Sequence, residues 1–299
     1  MRFLAVILAL TIAVGVGFVV LAATDSLPFL DSADDEVEGG AEVDRFDSAA
    51  AFDLLERQVE LGPRPAGSAA SRRLAGWLRE ELPSGRYQPV PGGLRNVLGE
   101  VPGRDPERVI VVGAHYDTKD APGFVGANDG ASGTAVVVEL ARTLEPRELE
   151  PTVVFALFDG EESPRGTPDE NFAEEGLRGS KVAAQSLREA EAMINVDFVG
   201  DERLSLPREK FSDEALWERL RAAAQRVGYG EVYPPGTAGG ILDDHLPFLE
   251  QGVPAIDLID FNFPCFHRSC DDLSAVAPES LDATGEPLVE LLRDLGGAD

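Results

Sequence analysis

The chain of 299 residues carries 54 acidic and 26 basic side chains, which give a formal net charge of −28. Its length suits one α/β domain with a fully buried sheet and is short for two such domains. A chain this acidic repels nucleic acid and anionic lipid surfaces, and the sequence contains no basic patch that would overcome the repulsion. These features exclude a nucleic-acid partner.

The amino terminus has the composition of a targeting segment. Arg2 precedes 21 apolar or small residues, 3–23, and such a stretch spans a hydrocarbon core at about 1.5 Å per residue. Residues 20–22 also form a small-residue cleavage pattern, so a cleaved signal peptide is the alternative to the retained anchor that we favour. We therefore expect residues 1–23 to direct export, with the protein anchored on the extracytoplasmic side of a membrane or secreted.

A tether is predicted between this segment and the folded domain. Residues 24–47 contain nine carboxylates and one arginine among Pro, Gly and Ser, too few apolar groups to build a core. We expect an acidic disordered linker there and a catalytic domain at 48–299. Helical apolar spacing begins in that domain at residues 52–59 and resumes at 74–82 after Gly62 and Pro63.

The rest of the domain alternates short β-rich runs with helical stretches. The β-rich runs are 109–114, 152–158, 192–196 and 255–259, and the helical ones are 135–144, 177–187, 214–227 and 287–295. This alternation predicts an α/β fold, with a mostly parallel twisted sheet and helices on both faces. Ligands of such sheets gather beyond the carboxyl ends of the strands.

Histidine and carboxylate side chains follow these predicted strands. His115 and His267 are two of only three histidines, and the acidic residues at corresponding positions are Asp129, Glu161, Glu162 and Asp197. A lone histidine beside a strand is usually structural, but a histidine among clustered carboxylates favours a metal site. Nitrogen and oxygen ligands with an open position suit Zn²⁺.

Three local expectations accompany the site. Asp117 is two residues from His115 on an extended segment, so its carboxylate is expected to orient the imidazole. Ser132 is expected to cap the helix that follows the loop of Asp129. Cys265 and Cys270 flank His267, and in an exported protein they could close a disulfide that stiffens the loop, the alternative being two free thiols.

In its sequence motifs and in their order along the chain, the protein resembles the zinc aminopeptidase family M28, which includes the glutaminyl-peptide cyclotransferases. The resemblance spans about residues 61–281 and rests on the segments 61–68, 114–117, 128–129, 159–162, 195–197, 243–245 and 266–267. It implies that the primary zinc ligands are Asp129, Glu162 and His267. It also implies that Glu161 is the acid/base and that His115 and Asp197 are ligands of a second metal.

Two activities on peptide amino termini follow from this resemblance. Family aminopeptidases hydrolyse the first peptide bond with two zinc ions, whereas cyclotransferases need one and convert amino-terminal glutamine to pyroglutamate, releasing ammonia. Cyclotransferases place a carboxylate where Asp243 stands and link it to the acid/base and the equivalent of Asp197, whereas aminopeptidases usually have serine there. We therefore favour the cyclotransferase, although Phe266 stands where a pocket tryptophan is typical.

The segment at residues 163–176 is polar and acidic, and we expect it to form a loop at the rim of the pocket.

An inactive peptide-binding ectodomain is the alternative of another class. It predicts a missing ligand or base, but all the groups named above are present in the sequence. The sequence leaves the oligomeric state and the natural peptide substrate open.

Overall fold

The computed structural model describes residues 44–297. Its strands are β1 (Arg86–Val90), β2 (Leu94–Val101), β3 (Asp105–His115), β4 (Pro151–Phe158), β5 (Ala192–Asp197) and β6 (Ala255–Ile259). Its α-helices are α1 (Ser48–Val59), α2 (Ala69–Glu81), α3 (Ala131–Thr143), α4 (Phe172–Glu175), α5 (Arg178–Ser186), α6 (Glu214–Arg226), α7 (Leu246–Glu250) and α8 (Pro278–Leu295).

The strands form one six-stranded sheet in the order β1-β2-β4-β3-β5-β6. The four strands β4, β3, β5 and β6 pair in parallel, as predicted. β1 and β2 form an antiparallel hairpin, and β2 also pairs antiparallel with β4. This hairpin was absent from the predicted elements. The fold is therefore a mixed α/β fold with a parallel centre.

Helices cover both faces of the sheet, as predicted. Successive side chains of a strand point to opposite faces. In β3, Ile110 and Val112 pack in a core with α1, α2, α3, α6 and α8, whereas Val111 between them packs in a second core with α5 and α7. Both faces of the central strands are therefore buried, and only the strand ends are open to a ligand.

Helix α8 is longer than predicted, because it continues through a proline. The apolar pattern predicted a helix from Pro287, but α8 begins at Pro278. Pro287 has no N–H to donate to the carbonyl of Ala283, four residues earlier. The hydroxyl of Tyr233 donates to that carbonyl instead, at 3.1 Å. A contact from another part of the chain thus satisfies the carbonyl that the proline leaves open.

The folded domain begins earlier than predicted. Phe46 is buried with 1% of its surface exposed, and its N–H donates to Glu286 at 2.6 Å. Asp47 caps α1 by accepting from the N–H of Ala50. The predicted linker therefore ends before Phe46, because an apolar side chain within the acidic run packs against α8.

The predicted anchor at residues 1–23 and most of the linker lie outside the described residues. No helix within residues 44–297 is long and apolar enough to cross a membrane.

Candidate metal centre

The predicted site residues lie together at the carboxyl ends of the parallel strands. His115 and Asp197 are the last residues of β3 and β5. The other members lie in the loops that follow β3, β4 and β6, and they are Asp129, Glu161, Glu162 and His267. Parallel strands bring their carboxyl ends to one edge of the sheet, so residues far apart in sequence meet there.

Asp129, Glu162 and His267 form a first cluster. Nε2 of His267 lies 3.4 Å from Oδ2 of Asp129 and 3.2 Å from Oε1 of Glu162. Both carboxylate oxygens are buried and have no hydrogen-bond partner within residues 44–297. Buried oxygens of this kind are costly unless a donor or a cation satisfies them. The donors present, one imidazole and two carboxylates, therefore fit a divalent metal such as zinc.

His115, Asp129 and Asp197 form a second cluster. Nε2 of His115 lies 3.4 Å from Oδ1 of Asp129 and 3.3 Å from Oδ1 of Asp197. In each cluster, one ligand atom from each residue falls within 4.8 Å of the others. Asp129 belongs to both clusters and turns a different oxygen to each of them. Its carboxylate can therefore offer one oxygen to each cluster.

The imidazole of His115 is oriented by a main-chain carbonyl and not by a carboxylate. Nδ1 lies 3.1 Å from the backbone oxygen of Asp117 and 3.8 Å from its Oδ1. The Asp117 carboxylate instead accepts from the N–H groups of Gly160 and Glu161, at 2.9 and 3.2 Å. The expected role of this carboxylate was therefore wrong, because the chain turns after β3 and carries it towards the loop of Glu161. A proton on Nδ1 leaves the lone pair of Nε2 directed at the second cluster.

The loop of Asp129 enters α3 through a glycine. Gly130 has φ +87°, and a β-carbon there would lie 2.8 Å from the backbone oxygen of Asp117 and 3.1 Å from Cε1 of His115. The prediction that Ser132 caps this helix was wrong. Gly130 stands at the cap position, and the Ser132 hydroxyl donates to the backbone oxygen of Asn128 at 2.6 Å. The close approach of the His115 ring excludes a larger residue.

The loop of His267 is closed by a disulfide between Cys265 and Cys270, whose Cα atoms lie 5.4 Å apart. The predicted disulfide is confirmed. His267 has φ +52°, a left-handed conformation that is unusual for a residue with a β-carbon. The ring of Phe266 stacks on the imidazole at 3.8 Å between centroids. The covalent closure and the stacking together hold the imidazole towards the first cluster.

Buried carboxyl groups stand beside the two clusters. Burial and the neighbouring Glu162 raise the pKa of Glu161 well above its ordinary value. Burial and Asp197 raise the pKa of Asp243 to about 6. Carboxyl groups with raised pKa values can hold and release a proton near neutral pH. These residues are therefore suited to acid/base chemistry beside a metal.

These groups face a cavity of about 500 Å³. Its acidic lining includes Glu161, Asp197 and Asp243, and its apolar lining includes Phe198, Ile259, Phe261 and Phe266. Asp169 and Phe172 of the predicted rim segment also line it. The cavity is thus lined both by apolar side chains and by carboxyl groups.

Three residues around the clusters had no predicted role. Lys119 donates to Oε2 of Glu162 at 2.8 Å. Asp271 accepts from the backbone of the Asp129 loop, and Arg64 donates to carbonyls of that loop. Arg64 lies in one of the motifs that carry the family resemblance, and Asp271 directly follows the disulfide. The sequence therefore drew attention to the positions of Arg64 and Asp271, but it did not predict their contacts.

The sequence profile of peptidase family M28 matches residues 96–292, a range that contains all members of both clusters. The chain belongs to peptidase family M28. The aminopeptidase YwaD of Bacillus subtilis is 28% identical to this M28 chain over 194 residues, 60% of the chain and 39% of that protein. The chain likewise covers only 50% of the length of a further curated relative.

Other relatives match over most of their length. The glutaminyl-peptide cyclotransferase of Bos taurus is 27% identical over 285 residues, which cover 78% of this chain and 76% of that protein. The solved structure of the Porphyromonas gingivalis glutaminyl cyclase superposes with a TM-score of 0.74 at 27% identity. That superposition covers 84% of this chain and 99% of the cyclase.

Proposed function

We propose that this M28 chain is a zinc-dependent glutaminyl-peptide cyclotransferase, which converts amino-terminal glutamine to pyroglutamate and releases ammonia. The observation that carries the proposal is the buried carboxyl group of Asp243 in the same cavity as Glu161 and Asp197. Burial and Asp197 raise the pKa of Asp243, and Asp243 adds to the larger effects of burial and Glu162 that raise the pKa of Glu161. Two buried carboxyl groups with raised pKa values can hold and release a proton within an enclosed site.

The first cluster is the proposed zinc site, with Asp129, Glu162 and His267 as ligands. Its unpartnered buried oxygens and its mixture of one nitrogen and two oxygen donors support this assignment. When bound there, zinc would supply a positive charge that polarises the γ-carbonyl group of the substrate glutamine. The remaining chemistry falls to the side chains of the chain itself.

Glu161 is the proposed proton carrier. The α-amine of the substrate forms a bond to Cδ, the carbonyl carbon of its own side-chain amide, and the bond from that carbon to the amide nitrogen breaks. The proton lost by the amine passes to Glu161 and then to the departing ammonia, so no water is consumed. Burial, Glu162 and Asp243 raise the pKa of Glu161, so that it can both accept and release this proton.

The extent of similarity also supports the cyclotransferase. The chain covers 76% of the bovine cyclotransferase and 99% of the bacterial cyclase structure, but 39% of the Bacillus aminopeptidase. The chain thus aligns with most of the length of these two cyclotransferases, which supports the same activity here. The apolar wall of Phe198, Phe261 and Phe266 would enclose the substrate and exclude water.

A di-zinc aminopeptidase is the second candidate, and the cluster of His115, Asp129 and Asp197 favours it. This cluster offers three ligand atoms for a second ion and shares Asp129 with the first cluster. Two zinc ions bridged by Asp129 would suit hydrolysis of the first peptide bond.

The test is to incubate the purified protein with a glutamine-initiated peptide and with a leucine anilide, and to count zinc per chain. Ammonia release without cleavage, at one zinc per chain, supports the cyclotransferase. Cleavage of the anilide, with two zinc ions per chain, would refute the cyclotransferase and support the aminopeptidase. Binding of the peptide without turnover would indicate the inactive ectodomain. An Asp243→Ser variant is expected to retain zinc and lose cyclisation, and full cyclisation by this variant would refute the proposed role of Asp243.

We further propose that the enzyme works outside the cytoplasm, anchored through residues 1–23. The disulfide between Cys265 and Cys270 supports an oxidising compartment. Fractionation of cells that express the full chain tests this proposal. Recovery in the membrane fraction, with protease access from outside, is expected, and recovery in the cytoplasm would refute it.

A further inference from the structure

Arg64 is a cation buried inside the protein without a carboxylate in direct contact. None of its surface is exposed, and no ion pair joins it to an acidic side chain within residues 44–297. Its guanidinium donates to backbone carbonyls only, those of Gln58, Gly62, Val125 and Gly126. Burying a guanidinium costs free energy. This cost must be offset by the contacts through which the guanidinium holds other segments of the chain.

The carbonyls that Arg64 binds belong to two segments. Gln58 and Gly62 lie at the end of α1 and just after it, whereas Val125 and Gly126 begin the loop that carries Asp129. The bonds to that loop are the shorter ones, 2.7 Å to Val125 and 3.1 Å to Gly126. The guanidinium thus ties the base of the Asp129 loop to the helix α1.

The backbone of Arg64 ties a third segment. Its N–H donates to the hydroxyl of Thr118 at 2.9 Å, and the N–H of Thr118 donates to the carbonyl of Arg64 at 3.2 Å. Thr118 follows the turn in which the carbonyl of Asp117 orients His115. One residue therefore holds two parts of the connection between β3 and α3, the part that orients His115 and the part that supplies Asp129.

Asp271 holds the Asp129 loop from the opposite side. Its carboxylate accepts from the N–H groups of Asn128 and Asp129, at 2.7 and 3.1 Å. Asp271 follows the disulfide of the His267 loop, so these bonds also join the His267 loop to the Asp129 loop. The charges are complementary, because Asp129, Asp271 and Asp117 all act on Arg64 electrostatically.

We propose that Arg64 and Asp271 are positioning residues of the metal centre, which together set the loop of residues 125–129 so that the two oxygens of Asp129 face the two clusters. The inference rests on the proposed metal site and not on the reaction catalysed there. Asp129 is the shared member of both clusters, so its position governs both. A shift of this loop would weaken metal binding even with every ligand side chain intact.

The test measures metal binding by purified full-length protein, first with zinc in competition with a chelator and then with cobalt by visible absorption. Arg64→Met removes the donors and the charge, whereas Arg64→Lys keeps the charge but cannot reach four carbonyls. We expect zinc affinity to fall about 10- to 100-fold in Arg64→Met, with a changed cobalt spectrum, and less in Arg64→Lys. The zinc affinity of Asp271→Asn is expected to fall about 10-fold. This variant provides the same test if Arg64→Met does not fold.

Two controls separate positioning from general destabilisation. Leu220→Ala opens the core at helix α6 and should lower the melting temperature, and Arg221→Met removes an arginine that donates to the carbonyl of Tyr233. Both controls should keep the wild-type zinc affinity and cobalt spectrum. Wild-type affinity in Arg64→Met or Asp271→Asn, or an equal loss in the controls, would overturn the inference. Absence of metal binding by the wild-type protein would instead refute the proposed function.

Discussion

Lys119 donates to Oε2 of Glu162 at 2.8 Å and leaves Oε1 of the same carboxylate directed at His267. The lysine thereby limits Glu162 to one free oxygen. Burial raises the pKa of Glu162, but His267 and Lys119 outweigh it, so the net pKa is lowered. A low pKa keeps the carboxylate charged and available as a ligand.

Replacing Lys119 by methionine should therefore make metal retention more sensitive to acid. Without the ammonium, the pKa of Glu162 rises and protons compete with the metal at higher pH. We expect the pH at which half of the zinc is lost to rise by roughly half a unit to one unit. Dialysis across a pH series followed by metal analysis measures this midpoint. Lys119→Arg, which keeps the charge, should match the wild type, and an unchanged midpoint in Lys119→Met would contradict the assignment.

Glu161→Gln should bind zinc normally and lose turnover by about 10²- to 10⁴-fold, because an amide can neither accept nor release the proton. The measurement is the rate of ammonia release from a glutamine-initiated peptide, together with the zinc content. Glu170→Gln is the matched control, since Glu170 is an exposed acid of the rim segment. Substantial activity in Glu161→Gln would refute its role as the proton carrier.

Apolar side chains at the mouth of the cavity should contact the substrate beyond its first residue. Of the four exposed large hydrophobic side chains within residues 44–297, Leu242 and Phe261 line the cavity. Phe261→Ser should raise KM about five- to tenfold for a peptide with phenylalanine in second position, and less for one with alanine there. Leu273→Ser removes an exposed apolar side chain that does not line the cavity and should leave KM unchanged. An equal rise in KM for both peptides would argue against this contact.

Asp159 should make the metal-free protein less stable as the pH rises. Burial and the nearby Asp117 raise the pKa of Asp159 to about 6, above its value of about 3.9 in the unfolded chain. The folded state therefore binds more protons between about pH 4 and 6, and its stability falls across that window by roughly 3 kcal/mol. Above the window this contribution stays constant.

Urea unfolding of metal-free wild type and Asp159→Asn, at pH values from 4 to 7, measures this effect. The difference in unfolding free energy between the two proteins removes the contributions of other acidic groups. The amide of the variant does not titrate, so Asp159→Asn should gain stability relative to the wild type as the pH rises to 6. A difference that does not vary with pH would contradict the raised pKa.

Much of the fold follows from local patterns in the sequence. The runs around β3, β4, β5 and β6 are continuous and apolar because both faces of these strands are buried, and such runs are readily recognised. The hairpin of β1 and β2 was not predicted, since it contains Pro89, Asn96 and Gly99, which interrupt the apolar pattern. β2 is held by pairing with β4, and β1 by pairing with β2, and a local pattern does not contain the contact with β4.

The chemistry-bearing residues were also predictable, because carboxyl ends of parallel strands meet at one edge of the sheet. Residue type and position along the chain were enough to identify the imidazole and carboxylate groups at that edge: His115, Asp129, Glu161, Glu162, Asp197 and His267. The folded chain was needed to show which oxygen of Asp129 faces which histidine, and that the backbone of Asp117 orients His115. Arg64, Lys119 and Asp271 contact the site residues or their loops, and these contacts too were visible only in the folded chain. These relationships depend on loop conformations set by contacts between distant segments, and neither residue type nor spacing along the chain specifies those contacts.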